Sequence, residues 1–165
     1  MKEQQKKYEL TDEFIEIFGG KKLYRIKALV SFGVVVAGQL GGFIESEKNL
    51  DQSLSGDAWV YGDALVYGNA LVYGDAQVSG NACIRSYAVI SERKMIFWAS
   101  NVGSEYGTLT VFNGKDGLIV TRGCFTGTID EFLAKSAEVH DDKTKNEYKL
   151  LIKVAKSRIL GVKDE

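Results

Sequence analysis

Few residues in this chain have the types and spacing to do chemistry, and each set suggests a different one. Lys145, Lys149, Lys153 and Lys156 recur at i, i+4, i+8 and i+11, so on a helix they share one face that could meet phosphates or an acidic protein surface. Glu147 is the only acid between Lys143 and Arg158. The run Thr121 to Thr128 places Arg122 and Cys124 just ahead of an expected helix start, an arrangement that could hold an anion or a nucleotide phosphate. The simpler alternatives are a solvated lysine face and a structural turn. Cys124 has no histidine near it in sequence to activate it, and the single histidine, His140, lies at an expected helix end. Acids or their amides recur every six residues, at Asp57, Asp63, Asn69, Asp75 and Asn81, and could be read as metal ligands.

The elements that must position these residues start from that six-residue period. Aliphatic residues stand at Leu54, Val60, Val66, Val72, Val78, Ile84 and Ile90. Glycine follows two places later at Gly56, Gly62, Gly68, Gly74 and Gly80, then the acid or amide, then alanine at Ala58, Ala64, Ala70, Ala76 and Ala82. A helix would need a period near 3.6, so six implies short strands separated by sharp corners. Glycine followed by Asp or Asn tolerates corner backbone angles, and alanine fits a crowded inner corner.

The pattern resembles the left-handed parallel β-helix, a triangular prism with about 18 residues per coil. The expected fold is mainly β with an α+β tail: a left-handed parallel β-helix of about three coils, an N-terminal β-hairpin cap, and a C-terminal hairpin plus two helices. Residues 1–33 would supply the N-terminal strands and cap, 34–92 the β-helix, and 93–165 the α+β module. Val34 to Leu50 reads as a degenerate first coil with Val34 and Leu40 on the repeat, and the register slips at Asp51-Gln52. Residues 1–7 are polar and expected to fray. The hairpin turns at Gly19-Gly20, with Lys22 to Leu29 running back. Beyond the repeats, Thr108 to Phe112 and Leu118 to Thr121 form a hairpin around Asn113 to Gly117. Thr128 and Glu131 make a capping box, and Gly161 ends the last helix.

On such a prism only residues three hexads apart stack, which puts Asp57 over Asp75 and Asp63 over Asn81. One Asp–Asp stack offers too few oxygens for calcium, so the acids are assigned to corner hydrogen bonding and no metal is expected. Residues flanking each inward aliphatic face outward. Trp59, Tyr61, Leu65, Tyr67, Leu71 and Tyr73 would therefore form an apolar belt spread over three faces, the expected interface for a second copy or another partner. Many hexapeptide-repeat enzymes transfer acyl groups from coenzyme A with a histidine base. The repeats contain no histidine, which disfavours that chemistry, and no catalytic residue or cofactor is expected.

Bulk composition adds exclusions. A net charge of −1 over 165 residues carries no global signal for nucleic acid, and lysines without interleaved aromatics add little to one. Two cysteines, no CxxC and one histidine support neither a disulfide framework nor a zinc site. The N-terminal stretch lacks the apolar run of a signal peptide, and Ala28 to Val36 is too short to span a membrane.

The segments YELTDEF, LYRIKAL and GQLGGFIESEKNL, with the tail GTLTVFNGKDGLIVTRGCFTGTIDEF, resemble a family of small β-helix proteins common in phages and prophages. That resemblance implies a phage origin and a cytoplasmic location in an infected bacterial host. It implies no settled activity. The expected function is a non-catalytic binding protein that inhibits a bacterial host defence component, anti-CRISPR-like in mode, with the β-helix as scaffold or oligomerisation unit. Its partners would be itself, and a host protein complex or a signalling nucleotide, rather than nucleic acid or a membrane. The rival readings are a structural or virion-associated repeat protein and a hexapeptide-repeat acyltransferase.

Overall fold

The computed structural model describes residues 5–161. The expected polar leader and the end of the expected C-terminal module therefore lie partly outside the described residues.

The chain opens with a hairpin, β1 (Tyr8–Glu16) and β2 (Lys22–Ala28), turning through Gly19 and Gly20, both at positive φ. β3 (Leu40–Ile44) follows. The hexads then supply six strands of two residues each: β4 (Trp59–Val60), β5 (Leu65–Val66), β6 (Leu71–Val72), β7 (Gln77–Val78), β8 (Cys83–Ile84) and β9 (Val89–Ile90). The C-terminal part contains β10 (Ile96–Val102), β11 (Gly107–Gly114), β12 (Gly117–Arg122), β13 (Phe125–Thr128), α1 (Ile129–Val139) and α2 (Asp142–Leu160).

The expected left-handed parallel β-helix is corrected by the strand order. The described residues form a five-stranded mixed sheet, β1-β2-β3-β5-β8, and a four-stranded antiparallel sheet, β10-β11-β12-β13, with two further two-stranded pairs and no closed or solenoid sheet. Among the described residues parallel pairing is confined to short contacts of β3 with β5, β4 with β7, β5 with β8 and β6 with β9, and to the bridge of Leu50 with Val72. The physical reason is strand length and number. Each hexad contributes only two paired residues, joined to a partner 18 positions on, as Leu65 is to Cys83. The clean repeats allow this step once on each side. The longer flanking segments pair antiparallel through their hairpins, which builds the larger sheets.

Two further corrections follow from the same topology. The hairpin does not simply cap an end, because β2 pairs antiparallel with β3 and extends the sheet sideways. The expected C-terminal hairpin of β11 and β12 is the centre of a four-stranded sheet, flanked by β10 and β13. Before residue 55 the six-residue spacing of Val34, Leu40 and Leu54 does not mark the buried side. Val34, Leu40 and Leu54 are exposed, while Val35, Ile44 and Leu50 are buried. From Val60 onward the aliphatic and alanine columns are buried together, including Ala88.

A second apolar cluster lies where α1 and α2 cover the antiparallel sheet. Leu109, Val111 and Val120 meet Phe132, Tyr148, Ile152, Ala155 and Ile159 there. Phe112, on the other face of β11, belongs to the first cluster with the hexad aliphatics. The sheet also hydrogen-bonds to the repeats: the Cys83 N–H donates to Thr110 Oγ1, and the Thr121 hydroxyl donates to the Cys83 carbonyl. The capping box of Thr128 with Glu131 starts α1, and Gly161 in the left-handed region ends α2.

Lys7 departs from the expected frayed leader. It is fully buried, and its Nζ donates to the carbonyls of Ala58 at 2.8 Å and Gly56 at 3.1 Å, above the Phe32 ring. Burial holds its pKa below the usual 10.5, against the opposing pull of Asp51, Asp57 and Asp75. The neighbouring Tyr8 phenol is also buried, and its pKa is pushed up from 10.0. The unfolded chain thus binds more protons at Lys7 between the folded pKa and 10.5, so stability rises with pH across that window. Above pH 10 the folded Tyr8 keeps a proton that the unfolded chain releases, so stability falls again. Urea unfolding at a series of pH values should show the rising limb in the wild type and a flatter one in Lys7→Met. An equal slope in both would remove Lys7 as its source.

Candidate functional site

The site is a cleft of about 590 Å³ where three parts of the chain converge. The hairpin turn brings Ile17, Phe18 and Lys21; the β5–β8 face brings Leu65, Tyr67, Cys83 and Arg85; the antiparallel sheet brings Glu105, Thr108, Arg122 and Cys124. Local folding explains the centre. β5 and β8 pair in parallel, Leu65 with Cys83 and Val66 with Ile84, so Tyr67 and Arg85 leave the two strands side by side. The Arg85 Nη1 donates to the Tyr67 hydroxyl at 3.1 Å.

Arg85 also ties the repeats to the β12–β13 turn. Its Nε donates to Thr126 Oγ1, and its Nη2 donates to the carbonyls of Gly123 and Phe125. Arg122 is held from the other side, with Nε donating to the Tyr148 hydroxyl at 2.7 Å and Nη2 paired with Glu105 at 3.4 Å. Lys21 Nζ lies 5.8 Å from the Tyr67 ring centroid. Burial raises the Tyr67 pKa, reinforced by Cys83 and opposed by Arg85, so the phenol stays protonated at neutral pH. The cleft thus sets three cationic groups and one carboxylate around a phenol ring, with Phe18 almost fully exposed at its rim. Fixed guanidinium groups beside an aromatic face suit an anion that carries a ring.

The residues singled out in the sequence are dispersed. Trp59 is fully buried, with Tyr8 and Phe32 against it edge-on, and is not part of any outer surface. Tyr61 is half-buried against the first core. Leu65 and Tyr67 line the cleft, while Leu71 and Tyr73 remain exposed on the β6 side. The apolar belt is thus broken by the chain folding over it. Arg122 lies in the cleft, not among the lysines of α2. Lys149, Lys153 and Lys156 are exposed, and Lys145 pairs with Asp142 at 3.4 Å. The Thr121–Thr128 run leads into α1 through its N-cap Thr128, with β13 as its last four residues, so Arg122 and Cys124 stand a strand's length before the helix start. In the acid column, the Asp57 N–H donates to the Asp75 carboxylate, the expected corner bond, and Asp63 pairs with Arg25. Among the described residues no cluster of three or more His, Cys, Asp or Glu is placed to hold a metal. His140 Nδ1 hydrogen-bonds the Ser136 hydroxyl at the end of α1.

Lys21, Arg85, Glu105 and Phe18 were not found from the sequence. Arg85 did leave a signal: it is the one charged residue in the column of Tyr61, Tyr67, Tyr73, Ser79 and Ser91. The others come from segments whose approach only the folded chain shows. No protein-family model matches the chain, and no match is found among curated proteins. No helix among the described residues is long and apolar enough to cross a membrane.

Proposed function

We propose that this chain is a non-catalytic binding protein of phage type that sequesters a signalling nucleotide of its bacterial host in the cleft. The carrying observation is the convergence of Lys21, Arg85 and Arg122 around the Tyr67 ring in a hollow of about 590 Å³. That volume falls within the range of small-molecule sites, about 300–1,000 Å³. Guanidinium groups recognise phosphate oxygens through paired N–H donors, and the rings of Tyr67 and Phe18 offer apolar faces to a base. Arg85 is committed to the Gly123 and Phe125 carbonyls and Arg122 to the Tyr148 hydroxyl and Glu105, so both shape the cleft, and the exposed Lys21, 4.0 Å from Glu45, is the most available cation. The resemblance to phage and prophage proteins supports a bacterial host molecule as the ligand.

Calorimetric titration with mononucleotides and cyclic dinucleotides tests the reading. At least one of them should bind, and Lys21→Glu or Arg122→Gln should weaken it by about tenfold or more, the loss expected for a charge-assisted contact. Absence of binding to every nucleotide tested, or equal binding by both variants, would overturn it.

A further inference from the structure

We propose that the outer face of α2 docks the acidic edge strand β1 of a second copy of this chain, joining copies head to tail. α2 buries Tyr148, Ile152, Ala155 and Ile159 against its own sheet. One flank of the helix leaves Lys149 and Lys156 exposed, with the half-exposed Leu160 on the same side. Six cations and two acids fall within this helix. The stretch from Tyr8 to Gly20 is its opposite, with Glu9, Asp12, Glu13 and Glu16 and no cation. β1 ends the strand order of its sheet, so beyond Tyr8, whose N–H and C=O bond the Gln52 side chain, its outer edge has no strand partner among the described residues, and it exposes Phe14 beside the acids.

The charges on both surfaces are largely uncommitted. Glu13 pairs with Arg25, but Glu9, Asp12 and Glu16 make no ion pair among the described residues, nor do Lys149 and Lys156. An edge strand rich in one charge repels another copy of itself, which blocks strand-to-strand pairing between like edges. The same charge attracts the cationic helix, and Phe14 can bury against Leu160. The overall charge of −1 leaves little net repulsion between copies. The two surfaces differ, so the contact is heterologous and produces rings or open chains. This inference does not depend on what the cleft binds.

Sedimentation velocity on the full chain over a range of concentrations is the test. Association should appear at low ionic strength and weaken by about tenfold or more near 0.5 M salt, where charges are screened within a few ångströms. Glu9→Lys/Asp12→Lys/Glu16→Lys should be monomeric, as should Lys149→Glu/Lys156→Glu, and an equimolar mixture of the two should associate again. Circular dichroism checks that both variants fold; the single changes Asp12→Lys and Lys156→Glu serve if either does not. A wild type that is monomeric at every concentration, association unaffected by both reversals, or folded variants that fail to associate on mixing would each overturn the proposal.

Discussion

Trp59→Ala is expected to lower the unfolding free energy by about 3–5 kcal/mol, the usual cost of removing a large aromatic side chain from a core. The indole is fully buried, with the Phe32 centroid 5.4 Å away and the Tyr8 centroid 6.1 Å away, both edge-on. It also sits against Gly41, where an added Cβ would stand 2.8 Å from an indole carbon. The ring joins the N-terminal hairpin, the segment around Phe32 and the first hexad, so its loss opens a cavity shared by all three. Its Nε1 has no hydrogen-bond partner among the described residues. Trp59→Phe therefore forfeits packing but no hydrogen bond, and should cost less, about 1–2 kcal/mol. Urea unfolding of both variants, with Tyr73→Ala as a partly exposed comparison, measures the difference. A Trp59→Ala cost no larger than that of Tyr73→Ala would contradict the burial of the indole.

Gly56→Ala should cost about 3 kcal/mol or more, whereas Gly62→Ala should cost about 1–2 kcal/mol. The two glycines occupy the same slot in successive hexads but are needed for different reasons. Gly62 has φ +58, and nothing lies within 4 Å of an added Cβ, so alanine there meets only left-handed backbone strain. Ser86 holds φ 62 at the equivalent corner, which shows that a side chain can be accommodated. Gly56 lies outside that region, yet its Cβ would run into the backbone carbonyl of Gly74, which no rotamer change can move. The Ala58 N–H donates to that same carbonyl at 2.9 Å, so relief by separation would break the contact between successive turns. Thermal unfolding of the two variants side by side decides the matter, and equal losses would mean that corner strain, not backbone approach, sets both.

These glycines also show how far the sequence could be read. The six-residue column identified the corners and, from Val60 to Ile90, the buried aliphatics, because spacing along a regular backbone sets side-chain direction. It could not distinguish the strained corner at Gly62 from the crowded one at Gly56. It failed at Leu54, which has the right spacing but no strand around it and stands half exposed. Trp59 was assigned to the outside by alternation, yet β1 and the Phe32 segment fold over that side and enclose it. In the candidate site, Arg122 and Tyr67 were legible as residue types. Their meeting with Arg85 and Lys21 was not, since it depends on the hairpin turn and the β12–β13 turn reaching one face.

By itself, the sequence determined the local chemistry of this protein: the hexad corners, the Thr128–Glu131 cap, the Gly161 stop, the turn at Gly19-Gly20 and the apolar face of α2. Each follows from interactions within a few residues of chain, where backbone geometry leaves few choices. The tertiary structure alone decided that β2 joins β3 in a mixed sheet and that Lys7 is buried against Gly56 and Ala58. It also decided where the cations gather. Those outcomes depend on which distant segments compete for the same strand edges and the same apolar surface, a competition that spacing along the chain does not encode.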